Sequence, residues 1–186
     1  RDGGKSGRAI GLRADMDALP MQEFNTFSHA SQHAGKMHAC GHDGHTATLL
    51  LAAKYLSENR DFAGTAVLIF QPAEEGGGGG QVMVKEGLFE KFPCQEIYAL
   101  HNWPGMPLGQ VAINSGAMMA SLDAFEITLT GKSCHAAMPE RGADPIVAAA
   151  QLIMALQTIP SRRLSPQEST VVSVTQISGG EAINVL

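Results

Sequence analysis

Three apolar runs punctuate the first half of the chain: Ala9-Ile10-Gly11-Leu12, the β-branched and aliphatic residues 65–70, and residues 97–100. Short continuous runs of this kind suit strands buried on both faces. Between them the spacing becomes helical. Thr46 can cap a helix running through Tyr55 and Leu56, with Leu49, Leu50, Ala53 and Leu56 on one face, and residues 81–90 form a second candidate. Strands alternating with helices predict an α/β class with a mostly parallel sheet and flanking helices.

Near Ser115 the pattern restarts. Residues 125–130 alternate as a strand, residues 145–159 read as a helix behind Asp144, and residues 170–177 alternate again. This predicts a second, smaller β-α-β unit and divides the chain into residues 1–115 and 116–186. A loop over residues 131–144, containing Pro139 and Gly142, joins its first strand to its helix.

At 186 residues and 44% hydrophobic content, the chain can bury a core in one domain or two small ones. A net charge of −5 with no basic cluster argues against a nucleic-acid surface, and no apolar run reaches the roughly 18 residues a membrane helix needs. That leaves a small molecule as the expected partner. Cys40, Cys94 and Cys134 are far apart and odd in number, which fits reduced thiols and a cytoplasmic location better than a disulfide scaffold. The opening Arg1-Asp2-Gly3-Gly4-Lys5 reads as the middle of a larger sequence.

The chemistry concentrates in His38-Ala39-Cys40-Gly41-His42-Asp43-Gly44-His45, where three imidazoles, a thiol and a carboxylate are separated only by alanine and glycine. Such Cys/His density signals metal binding. On an extended backbone Cys40 and His42, two apart, point to one face and can share an ion at about 2.0 to 2.3 Å. The strand ends add to this. Ligands of open α/β sheets bind beyond the carboxyl ends of the strands, and here those ends read Arg13-Ala14-Asp15-Met16-Asp17, Gln71-Pro72-Ala73-Glu74-Glu75 and His101-Asn102-Trp103. Of the adjacent glutamates, one can ligate a metal while the other acts as a general base toward water. The five glycines that come next, Gly76 to Gly80, are not a phosphate loop: no Gly-Lys-Ser/Thr succeeds them, and two carboxylates would repel a phosphate.

Residues 13–20, 37–45, 71–79 and 99–104, continued by Gly131-Lys132-Ser133-Cys134-His135-Ala136-Ala137-Met138-Pro139 and Gly179-Gly180-Glu181-Ala182-Ile183-Asn184-Val185, together resemble the hippurate hydrolase, N-acyl-amino-acid amidohydrolase and plant auxin-conjugate hydrolase family. The resemblance implies a binuclear metallohydrolase. In it Cys40, His42, Glu75 and His101 would be metal ligands, Glu74 the catalytic base and proton donor, and Asp15 an orienting group behind the ligands, with Asp43 or His45 supporting the ligand loop. It also implies that the segment from about Ser115 is part of a ferredoxin-like lid and dimerisation domain. There His135 would reach the reacting carbonyl and Asn184 the substrate carboxylate. The expected reaction is hydrolysis of an N-acyl or N-aroyl amino acid by a homodimer.

Two divalent ions are implied. The donor set suits zinc, and its carboxylates also admit manganese, cobalt or nickel. Relatives of this kind are longer and carry a further metal-ligand histidine in their C-terminal part, so the chain reads as an internal fragment. Ser133, Cys134 and Glu140 depart from common family residues and blur substrate choice. A dipeptidase or carboxypeptidase of the same fold, and a non-catalytic metal-binding or dimerisation module, are the alternative readings.

Overall fold

The computed structural model describes residues 7–186, so the opening pentapeptide lies outside the described residues. The chain divides into two compact units, the second being Ile113–Leu186. In the first, strands β1 (Ala9–Asp15), β2 (Thr65–Gln71) and β3 (Glu96–Ala99) form a sheet of order β2-β1-β3, parallel throughout. Helix α1 (His42–Glu58) links β1 to β2, and α2 (Gly79–Lys85) and α3 (Leu88–Lys91) link β2 to β3. No helix among the described residues is long and apolar enough to cross a membrane.

The predicted parallel sheet therefore forms, and its register brings the strand ends together. Asp15 pairs with Gln71 and Arg13 with Ala99, so all three strands end along one edge. The chain leaves β1 toward β2 and then passes back beyond β1 to reach β3, so the exits of the three strands line one crevice at the carboxyl edge of the sheet. β1 is paired on both sides and tightly packed: a Cβ on Gly11 would stand 3.0 Å from Ile97 Cγ1 and 3.3 Å from Cys94 Sγ. Among the described residues the buried apolar ones are few, namely Ala9, Ala14, Leu49 and Ile69. A three-stranded sheet with one long helix encloses little.

Helix boundaries differ from the sequence expectation for identifiable reasons. α1 starts at His42 rather than after Thr46, because Gly41 takes φ 88° at the cap and lets the helix begin a turn earlier. Thr46 instead donates its hydroxyl to the Asp15 carbonyl at 3.1 Å. The inward stripe is consequently His42, His45 and Leu49, and the predicted inward Leu50 is exposed. The single helix expected over residues 81–90 is two, broken at Gly87 with φ 88°.

In the second unit, α4 (Pro145–Leu156) and α5 (Thr158–Arg162) replace one predicted helix. The break falls where the ring of Pro160 would meet the carbonyl four residues back, at Leu156. Asp144 caps α4 as its position suggests, accepting from Ile146 N at 2.8 Å and Val147 N at 3.1 Å. Lys132 and Ala143 exchange two main-chain bonds of 3.0 Å and close the intervening loop. The strands predicted over residues 125–130 and 170–177 do not form among the described residues, where the second unit holds only isolated bridges, His135 to Val185 being one. Alternating apolar positions mark a face but supply no partner backbone, and a strand exists only through its ladder.

Asp144→Ala is expected to destabilise the second unit by about 1 kcal/mol, since two amides at the start of α4 lose their acceptor, and Asp144→Asn to recover most of it. Urea unfolding of the three proteins, monitored by far-ultraviolet circular dichroism, checks this.

Candidate metal centre

His42 is the hub of the crevice. Its ring is 1% exposed, and its Nδ1 lies 3.1 Å from the Asp17 carbonyl. A carbonyl accepts only, so the ring proton sits on Nδ1 and Nε2 carries a lone pair. That Nε2 is buried with no hydrogen-bond partner among the described residues. Around it stand Asp15 Oδ1 at 3.7 Å, Glu75 Oε1 at 3.8 Å and Glu74 Oε2 at 4.0 Å. The ligand atoms of three groups lie within 4.8 Å of one another: Cys40, His42 and His101; His42, Glu74 and Glu75; and Asp15, His42 and His45. His42 belongs to all three.

His101 is set in the same way. Its Nδ1 lies 2.7 Å from the Asn102 carbonyl, leaving Nε2 as a lone pair 3.5 Å from Cys40 Sγ. Cys40 reaches this position because Gly41 turns the chain left-handed between Cys40 and α1, not because the backbone is extended as the sequence suggested. Burial, then the hydrogen bond with Glu75 and the charges of Glu75, Glu74 and Asp15, raise the Cys40 pKa to about 11. Without a cation nearby, Cys40 is a thiol at neutral pH.

An orphaned buried imidazole nitrogen costs free energy unless something accepts its lone pair. Thiolate, imidazole and carboxylate donors converging on it fit a divalent ion of the zinc class.

The carboxylates are held by residues whose roles the motif spacing did not disclose. Asp17 accepts from Glu74 N at 3.0 Å and Glu75 N at 3.1 Å, while its own carbonyl takes the His42 proton. Burial alone would raise the Asp17 pKa, but these two amides hold it below the usual range. Ala73, just before the pair, sits at φ 52°, a strained choice for a residue with a side chain. A Cβ on Gly79 would stand 1.8 Å from the Pro72 carbonyl oxygen, so the glycine run lets the chain fold back against the exit of β2. In the sequence Asp17 stood out only by its place in the polar exit of the first strand, and nothing marked the two amides it holds.

The crevice thus gathers Asp15, Cys40, His42, Glu74, Glu75 and His101. His38 is exposed and in none of the three groups. His135 and Asn184 lie in the second unit, where Ala136 N donates to the Asn184 carbonyl at 2.9 Å. All three cysteines are free.

The profile of Peptidase family M20/M25/M40 matches residues 11–186. The chain belongs to that family. It is similar to a hippurate hydrolase of Campylobacter jejuni, 49% identical over 98% of this chain and 48% of the relative. It is likewise similar to an N-acetyl-L-cysteine deacetylase of Bacillus subtilis, 46% identical over 99% of this chain and 44% of the relative. A crystal structure from Bacillus subtilis, described as a dinuclear metal-binding peptidase of the M20 family, matches with TM-score 0.65 and 34% identity, over all of this chain and 46% of that one. The chain spans about half the length of the M20 relatives it matches.

The geometry sets two expected outcomes. Because Cys40 is protonated up to about pH 11, a cation that takes its thiolate must expel that proton. Zinc uptake near neutral pH should therefore release about one proton from Cys40, and affinity should rise about tenfold per pH unit on this account. Calorimetry in buffers of differing ionisation enthalpy measures it. At Gly41, a Cβ would approach Asn102 Nδ2 to 2.1 Å on a backbone already at φ 88°. Gly41→Ala should lose most zinc binding, as read by elemental analysis after gel filtration.

Proposed function

We propose that the protein hydrolyses the amide bond of N-acyl or N-aroyl amino acids, releasing a carboxylic acid and an amino acid, with this chain supplying most of a two-ion metal centre. The observation that carries the reading is the orphaned His42 Nε2, facing a thiol, an imidazole and paired carboxylates at the exits of three strands. Support comes from M20 relatives whose names are hippurate hydrolase and N-acetyl-L-cysteine deacetylase.

In this reading Cys40, His42, Glu75 and His101 hold the ions, zinc in the first place, and Asp15 orients the groups behind them. Bound divalent ions supply Lewis-acid polarisation of a carbonyl and a lowered pKa for water. Glu74 takes the proton of the attacking water and hands it to the leaving nitrogen. Its amide is fixed by Asp17 while its carboxylate remains partly open to solvent, which suits a proton carrier.

The segment beyond about Ser115 acts as the lid and as the contact of a homodimer. There the Nδ1 of His135 accepts from Ala137 N at 3.1 Å, which leaves the ring proton on Nε2, free to donate to a developing oxyanion. Asn184 would hold the substrate carboxylate. The three free cysteines fit a reducing compartment, and we place the protein in the cytoplasm.

The test joins metal content to turnover. Elemental analysis is expected to find zinc in the wild-type protein and a clear loss in Cys40→Ala and Glu75→Ala. Glu74→Gln should keep the metal while lowering kcat for hippurate by about 10²- to 10⁴-fold in the whole protein. Wild-type activity in a Glu74→Gln protein with intact metal would overturn the assignment. Turnover of a dipeptide with a free amino terminus, without turnover of hippurate or N-acetyl amino acids, would favour a dipeptidase. Stoichiometric metal with no turnover of either would favour a binding module.

A further inference from the structure

His45 takes no part in the proposed hydrolysis, yet it is 2% exposed, and both of its nitrogens are engaged. Its Nδ1 stands 2.5 Å from Asp15 Oδ1, and Asn102 N donates to its Nε2 at 2.9 Å. A main-chain N–H cannot rotate away, so it makes Nε2 an acceptor and places the ring proton on Nδ1, where Asp15 receives it. Asn102 Oδ1 also lies 2.8 Å from this nitrogen, but a side-chain amide can exchange its O and N by a half-turn, whereas the main-chain N–H is fixed and decides the tautomer.

The line continues at both ends. Arg13 Nη1 donates to the other Asp15 oxygen at 2.8 Å, and the Asn102 carbonyl accepts from His101 Nδ1 at 2.7 Å. Every step from His101 to Asp15 donates in the same direction. The His45 and His101 rings also meet edge to face, with centroids 4.6 Å apart.

We propose that His45 is a positioning residue for His101: through the main chain of Asn102 it locks His101 as the Nδ1-protonated tautomer, with the Nε2 lone pair turned toward Cys40. The proposal rests on the reading of His101 as a metal ligand. Its physical content is geometric: the His45 ring, held by a buried carboxylate, grips the Asn102 N–H, and the carbonyl of that same residue accepts from the nitrogen opposite the ligating lone pair. The tight approach of Asn102 to Gly41 keeps the intermediate residue from shifting.

Nitrogen-15 spectra of the imidazoles in the metal-free protein test it, with the zinc affinity of the same samples as the second arm. Wild-type His45 and His101 should both carry their proton on Nδ1, and a scalar coupling should be seen across the Asn102 N–H to His45 Nε2 bond. His45→Gln, whose amide can both donate to Asp15 and accept from Asn102, should keep His101 in that tautomer and hold zinc affinity within a few-fold. His45→Phe should release His101 into a tautomer mixture and weaken zinc binding by about 10- to 100-fold. An unchanged His101 tautomer in a folded His45→Phe overturns the proposal. Should that variant not fold, a wild-type His45 protonated on Nε2, or no coupling across the Asn102 bond, overturns it alone. If the wild type shows the tautomers and the coupling but takes up no zinc, the positioning stands and the metal reading fails.

Discussion

The carboxyl end of β1 is the constraint on which the first unit's chemistry depends. Among the described residues β1 is the strand paired on both sides, so its position is fixed by two ladders. The last residue of that strand, Asp15, is a carboxylate 2% exposed. Isolating such a charge from water costs several kcal/mol unless it is fully compensated. Compensation comes from Arg13 on one oxygen and His45 on the other. Burial pulls its pKa up, but the His45 hydrogen bond and the Arg13 charge pull harder, and the group stays ionised.

That carboxylate in turn fixes a helix. α1 cannot slide along or rotate about its axis without breaking the bond from His45 to Asp15 or the bond from Thr46 to the Asp15 carbonyl. His42 lies three residues before His45 on the same face, so anchoring one places the other. The helix is therefore held less by apolar burial, of which only Leu49 is complete, than by polar contacts at its first turn. Rigidity at the site and stability of the fold are drawn from the same few bonds.

Much of this was legible in the sequence because strand exits and ligand types are local properties. The apolar runs named all three strands to within a few residues, and the polar groups just after each run are the ones that meet in the crevice. What stayed hidden was non-local or conformational. Nothing in the run Gly41-His42-Asp43 shows that Gly41 is left-handed and that α1 begins at once, yet that turn replaces the expected extended pairing of Cys40 with His42. Asp17 stood in the sequence only as part of the polar exit of the first strand, whereas its partners are amides more than fifty residues away. The second unit failed differently: residues 125–130 and 170–177 alternate as strands should, but alternation describes a surface, and a ladder needs another backbone beside it.

Left-handed geometry recurs where the site is tightest, and Gly41 and Ala73 divide the labour by residue type. Gly41 must be glycine twice over, since φ 88° disfavours a side chain and Asn102 occupies the space it would need. Ala73, at φ 52°, carries its methyl in the same region at a cost of order 1 kcal/mol. The strain there is offset locally. Gly79 N donates to the Ala73 carbonyl at 3.0 Å, and the turn delivers two consecutive amides onto one carboxylate. The dihedrals of residue 73 turn the following amides as a pair, so the left-handed Ala73 aims both of them at Asp17. Adjacent side chains on extended backbone point to opposite faces, so bringing both glutamates to the same imidazole nitrogen requires such a turn. Asp17, by holding both amides, fixes that turn, and the strained alanine before it sets the direction in which the pair leaves β2.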